Sequence, residues 1–209
     1  MKARITYRVA AIVVTGGPFA PTLIDRNTFR SVMQAEPVNL VITPVASTLE
    51  YREGIKILVV DDRFQVAEEP PKDISVSTLG PVTSSLLELF KQFPLASMGI
   101  NFHALLDYAE QSAAAVVESI LARGEAAREI VGVSDVKIGL TLVYEREKAR
   151  NTLTLRPHLE KASTLVLDFN ASRKIKSSAE ALEHLGNYAL VRGHFDEICE
   201  AMSKLGAGQ

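Results

Sequence analysis

Apolar side chains recur at every second position along Met98-Gly-Ile-Asn-Phe-His-Ala-Leu-Leu-Asp-Tyr108, with Ile100, Phe102, Ala104 and Leu106 on one parity and Asn101, His103 and Asp107 on the other. That period of two predicts a strand with one covered face. The same alternation over residues 4–15, through Ile5, Tyr7, Val9, Ala11 and Val13, predicts a first strand that ends at Gly16-Gly17-Pro18. In TLIDRNTFRSVMQAEP, Phe29, Val32 and Met33 stand at helical spacing, Asp25 or Asn27 offers a cap and Pro37 a stop, so a short helix is expected. Two strands follow, 38–53 and 54–69, turning near Glu53-Gly54 as a hairpin. After Pro70-Pro71, DISVSTLG reads as a short third strand. Pro81 then opens a helix that shows Leu86, Leu87, Phe90 and Phe93 on one side and closes at Pro94.

The second half repeats this series. The strand at 98–108 is followed by an Ala-rich helix, SAAAVVESILARGEAAREI, suited to close packing, and then by strands at 135–147, 151–159 and 163–174. A long C-terminal helix carries Leu185, Tyr188, Val191, Phe195, Ile198, Cys199 and Met202 as an apolar stripe, with Ser178 and its neighbours as cap and Gly193 as a point of bending. Consecutive strands in hairpin-like runs, outnumbering the helices, favour an antiparallel sheet with helices packed on one face. The expected class is α+β, built from two pseudo-repeats of strand, helix, strands and helix, residues 1–95 and 96–209, within one compact domain.

Strand parity then sorts candidate site residues from core. If Ile100, Phe102, Ala104 and Leu106 face the helices, so do Val136, Ile138, Leu140 and Leu142, then Leu153 and Leu155, and then Leu165, Leu167 and Phe169. Asn101, His103, Asp107, Lys137, Thr141, Thr154, Arg156, His158, Asp168 and Asn170 fall on the opposite face. Such a face offers imidazole, guanidinium, carboxylate and hydroxyl groups to a polar or anionic ligand, for which Asn101, His103, Thr154, Arg156, His158 and Asp168 are the candidates. The plain alternative is the wetted side of a sheet covered on one side only. In the first half the pattern differs, because Leu58 and Val60 oppose Ile55, Ile57 and Val59, and Val41 adds a further apolar position on the second face. Apolar residues on both faces imply a second face covered by the chain itself or by another subunit, and mark Leu58, Val60 and Val41 as interface candidates, for a second copy or for a partner protein.

Composition narrows the field. With 209 residues, 47% hydrophobic and 23% charged, the chain is an ordinary globular sequence, and its formal charge of -2 gives no global attraction to nucleic acid or anionic lipid. No apolar run reaches the ~18 residues of a membrane span, and the alternation in residues 4–15 speaks for a strand rather than an export signal. The single Cys199 lies on an apolar helix stripe, as a buried small hydrophobe would in a reducing, cytoplasmic setting. There is no GxGxxG, Walker-type loop, HExxH or GxSxG, so no cofactor, metal or catalytic residue is assigned. His184 and His194 stand ten residues apart on the last helix, about 80° off a whole number of turns, and read as solvated rather than as a ligand pair. Adjacent carboxylates such as Asp61-Asp62 point to opposite faces of a strand and suit a turn better than an acid/base dyad.

The duplicated order of strand, helix, antiparallel strands and helix resembles the saddle architecture of the TATA-box-binding-protein-like folds, which would imply a nucleic-acid surface on the open sheet face. Phe102 and Phe169, however, share parity with core residues and not with that face, where phenylalanine wedges would have to stand. The closing HFDEICEAMSKLG is similar to uncharacterised bacterial proteins of sporadic distribution, which implies no particular activity. The expectation from sequence is therefore a non-enzymatic module that binds a partner protein or its own copy through the first-half sheet. A small-ligand protein or enzyme using the polar face comes second, with Arg156 as anion anchor, His103 or His158 as proton carrier and Asp168 as orienter. Nucleic-acid binding across a saddle comes third.

Overall fold

The computed structural model describes residues 2–109, 111–120 and 139–205. Among them nine strands form one sheet: β1 (Arg4–Gly16), β2 (Asn39–Ile42), β3 (Ala46–Glu50), β4 (Ile55–Val60), β5 (Arg63–Glu68), β6 (Leu95–Asp107), β7 (Leu140–Arg146), β8 (Ala149–Pro157) and β9 (Thr164–Lys174). Their order is β2-β3-β4-β5-β1-β6-β9-β8-β7, and the class is α+β with an antiparallel sheet. The helices are α1 (Arg30–Met33), α2 (Leu79–Leu89), α3 (Ala113–Ile120), α4 (Ser178–Gly186) and α5 (Tyr188–Leu205), with a 3-10 turn at Pro21–Leu23. None of the described helices is long and apolar enough to cross a membrane. Two compact units share the chain. Unit 1 draws on Met1–Arg8, Phe102–Asn170 and Arg192–Gln209, and unit 2 on Val9–Asn101 and Ala171–Val191.

Unit 2 is held by one apolar layer. Ala10, Ile12 and Val14 stand opposite Glu68, Val66 and Phe64 on β5, and Ile55, Ile57 and Val59 of β4 continue the same rows. The apolar members of these rows are fully buried, each large one contributing roughly 1.5–3 kcal/mol by leaving water. Helix α2 brings Val82, Leu86 and Leu87 to the core, and Phe90 follows at its C-terminal cap, where the rings of Phe19, Phe64 and Phe90 lie 5.2–5.8 Å apart. Helix α4 begins at Ser177, whose hydroxyl accepts the Glu180 N–H, and packs against α2.

Unit 1 centres on Phe195 of α5. Its ring stacks on Phe102 at 5.3 Å and packs against Phe169 at 5.7 Å and Tyr7 at 6.1 Å. The Arg192 guanidinium lies over the Tyr7 ring at 4.6 Å. The Tyr108 hydroxyl donates to the Met202 carbonyl at 3.0 Å, and burial pushes that phenol up to about 12. Strands β7 and β8 pair from Leu140↔Leu155 to Arg146↔Ala149 across a two-residue turn in which Glu147 and Lys148 both take positive φ.

Several expectations are revised by these elements. The long strands 38–53 and 54–69 are each two: Pro44, which cannot donate to a ladder, and Asp61-Asp62 make the intervening turns. DISVSTLG forms no strand and leads straight into α2. The short helix is the single turn α1, flanked by Phe29 without a side-chain cap, while Asp25 instead closes an Asx turn onto Asn27 N at 2.7 Å. The long terminal helix breaks at Asn187 between α4 and α5, not at Gly193. In β1 Ala10, Ile12 and Val14 are fully buried and Ala11 nearly so, so the apolar odd positions do not mark a single covered side, the even ones standing in register with the buried Val66 and Phe64 of β5. Leu142 pairs with Leu153 as its parity requires but is 43% exposed, since β7 closes the strand order and nothing described covers it. Val136 and Ile138, and most of the Ala-rich helix, lie outside the described residues.

Candidate polar site on the sheet

Burial along β6, β8 and β9 follows the expected parity in part. Ile100, Phe102, Ala104 and Leu106 are buried, while Asn101, His103 and Asp107 are half-buried on the other side. Along β8, Leu153, Leu155 and Pro157 are buried and Thr154 and Arg156 are not, nor is His158 just beyond its end, and along β9 Leu167 and Phe169 flank the half-buried Asp168. The face is not polar throughout, because Leu105 and Val166, both of the outer parity, are buried.

Within unit 1 this arrangement brings three of the candidates together. His103 Nδ1 lies 2.6 Å from Asp168 Oδ1, and Arg156 donates from a terminal guanidinium nitrogen to Asp168 Oδ2 at 3.3 Å. One carboxylate therefore holds an imidazole with one oxygen and a guanidinium with the other. The His103 hydrogen bond, with the charge and hydrogen bond of Arg156 added, holds the Asp168 carboxyl below the usual carboxylate range, against the opposing effect of burial. An ionised carboxylate only accepts, so Nδ1 of His103 carries the hydrogen and Nε2 of the neutral ring presents a lone pair. All three side chains keep access to solvent, at 29% for His103, 48% for Arg156 and 43% for Asp168.

The other candidates are engaged elsewhere. Asn101 belongs to unit 2 and donates to the Gly99 carbonyl at 3.4 Å. The Thr154 hydroxyl lies 3.3 Å from that of Thr141, and His158 accepts the Glu160 N–H at 3.2 Å, a local turn contact. Asp107 accepts the Thr164 hydroxyl at 2.5 Å. Of the interface candidates, Val41 is 51% exposed and Leu58 and Val60 are intermediate, so within unit 2 the second face of β2, β3 and β4 is only partly covered.

A second polar cluster was not legible in the sequence. His194, expected to be solvated, is tucked under the edge hairpin: Tyr144 Oη lies 2.6 Å from its Nε2 and an Arg146 N–H donates to Nδ1 at 2.5 Å. Since Arg146 only donates, Nδ1 is the acceptor and Nε2–H donates to the tyrosine, the opposite tautomer to His103. Glu197 lies 3.7 Å from His194 and 3.9 Å from Arg146. Burial, reinforced by the Arg146 charge, holds this imidazole below its ordinary range. The even parity of Tyr144 and Arg146 on β7 was readable, but their meeting with a residue of α5 is a tertiary event. His184 is likewise buried, with Nε2 donating to the Ala171 carbonyl at 3.3 Å, and burial lowers it too. Cys199 is buried as expected, its thiol pushed up to about 12 by burial, which leaves it without thiolate character near neutrality.

Among the described residues no group of three or more His, Cys, Asp and Glu side chains is placed to hold a metal ion. No protein family, curated protein or solved structure matches the chain.

Proposed function

We propose that this chain is a binding protein whose working surface is the polar sheet face of unit 1, where Arg156 and His103 receive a small anionic ligand. The observation that carries this reading is the convergence of His103, Arg156 and Asp168, from three different strands, on a single carboxylate. A surface kept only for solubility has no need of an imidazole oriented at 2.6 Å, or of a guanidinium positioned beside it with donors to spare. Nothing in the cluster supplies an activated nucleophile, so binding is favoured over covalent chemistry. Titration of the full chain with inorganic phosphate, followed by heteronuclear NMR, should shift the His103 and Arg156 signals saturably. Arg156→Ala should abolish the response with the melting temperature nearly unchanged, and an unresponsive wild type defeats the reading.

A second reading, self-association or protein docking through unit 2, is favoured by Val41, Leu58 and Val60, which leave apolar surface on the sheet face away from α2. The strand order also supports an internal duplication, since β5-β4-β3-β2 run outward from β1 as β9-β8-β7 run outward from β6. A chain whose one cysteine is buried needs no oxidising compartment, and a cytoplasmic setting fits it.

A further inference from the structure

We infer that the ligand of the His103–Arg156 site is an oxyacid carrying an O–H next to its charged oxygen, inorganic phosphate or an α-hydroxy acid, and not a fully deprotonated oxyanion such as the dianion of a phosphate monoester. The inference rests on the anion-binding reading above and refines it. Asp168 already takes the Nδ1 hydrogen of His103, so in the neutral imidazole the nitrogen left over is Nε2, an acceptor. No hydrogen bond joins Nε2 to another described residue. Arg156 spends one terminal nitrogen on Asp168 Oδ2 and keeps its remaining N–H groups, all of them donors. Both side chains are moored to the two oxygens of one carboxylate, so a ligand bound there meets a donor on one side and an acceptor on the other.

Sulfate or acetate offers oxygen lone pairs only. It satisfies the guanidinium but sets its own lone pairs against that of Nε2, unless the imidazole first takes a proton from solvent. Phosphate at neutral pH always retains at least one P–O–H, and glycolate carries a hydroxyl beside its carboxylate. Each can donate to Nε2 while accepting from Arg156, and neither asks the ring to change its protonation. The two groups of the site thereby select for a two-sided ligand rather than for charge alone.

The test uses the full chain at neutral pH and constant ionic strength, titrated with phosphate against sulfate and with glycolate against acetate. Phosphate and glycolate are expected to bind at least about tenfold more tightly than their partners, a ratio set by a satisfied against an opposed hydrogen bond. The 15N shift of Nε2 should remain that of an unprotonated nitrogen in the bound state. His103→Ala should bring phosphate down to the affinity of sulfate, while Arg156→Ala should weaken all four ligands. If His103→Ala fails to fold, His103→Phe fills the same space without the acceptor and is expected to do the same. Sulfate binding within twofold of phosphate, or uptake of a proton on phosphate binding in calorimetry across buffers of different ionisation enthalpy, overturns the inference while leaving the anion site standing. Absence of binding by all four ligands overturns both.

Discussion

At the scale of single residues, the histidines show how far context decides chemistry. His103 and His194 are held in opposite tautomers by their partners, a carboxylate that accepts at Nδ1 in one and a guanidinium that donates at Nδ1 in the other. Long-range 15N correlation spectra should show a protonated Nδ1 for His103 and a protonated Nε2 for His194, and the same tautomer for both would contradict the geometry. The imidazoles of His184 and His194 are harder to protonate in the fold than in the unfolded chain, chiefly through burial. As pH falls, the unfolded chain therefore binds those protons first. Stability is full above the ordinary imidazole value of about 6.5 and declines as pH drops from there toward the lowered native values. Chemical denaturation at pH 7.5 and pH 5.5 should show this loss, and His194→Gln, neutral throughout, should shrink it. An unchanged midpoint across that interval would show that neither ring is penalised. Asp168 acts in the carboxylate range instead, its lowered carboxyl contributing stability above about pH 4 that is lost as pH falls through its native value. Being nearly half exposed, its pair contributes no more than about 1 kcal/mol.

At the scale of elements, the hairpin of β7 and β8 carries a local conflict. Its two-residue turn places Glu147 at φ 52° and Lys148 at φ 58°, the left-handed pair that such a tight turn demands and that Asn-Gly fills at least cost. Lys148→Gly, alone or with Glu147→Asn, should raise stability by roughly 0.5–1 kcal/mol, set by the relieved left-handed strain less the flexibility given to the unfolded chain. A loss of stability would mean that the Lys148 side chain does more in the fold than its backbone costs. The elements were legible in the sequence where a period ran uninterrupted. Along β8 the alternation named both the buried side and the more exposed one, while on β6 and β9 it named the buried side but missed Leu105, Val166 and Thr164, which are buried on the other parity. It failed where one strand became two. Pro44 and Asp61-Asp62 interrupt runs that are apolar on either side, and a period of two reads straight across such a turn when both flanks are β-branched.

At the scale of the whole molecule, strands β1, β6 and β9 and helix α5 each contribute to both compact units, so neither unit is a continuous stretch of chain. The apolar surface that remains on unit 2 at Val41, Leu58 and Val60 sets the expectation for assembly. If it carries self-association, sedimentation equilibrium at micromolar concentration should show a dimer that Val41→Lys with Leu58→Lys converts to a monomer of unchanged circular dichroism. A wild-type monomer under those conditions removes the self-association reading and leaves docking of a different protein as the use of that face.

The amino-acid sequence by itself determined the class, the parity of the long strands, the capped start of α4 and the burial of Cys199, because each depends on residues close together in the chain. Only the tertiary structure decided which strands are neighbours, which phase of β1 meets the core, and that His194 lies between Tyr144 and Arg146 while His103, Arg156 and Asp168 meet on one carboxylate. These contacts join residues far apart in the chain, 65 positions for His103 and Asp168, and local preference carries no information about which distant partner a side chain will find once the apolar faces have chosen how to pack.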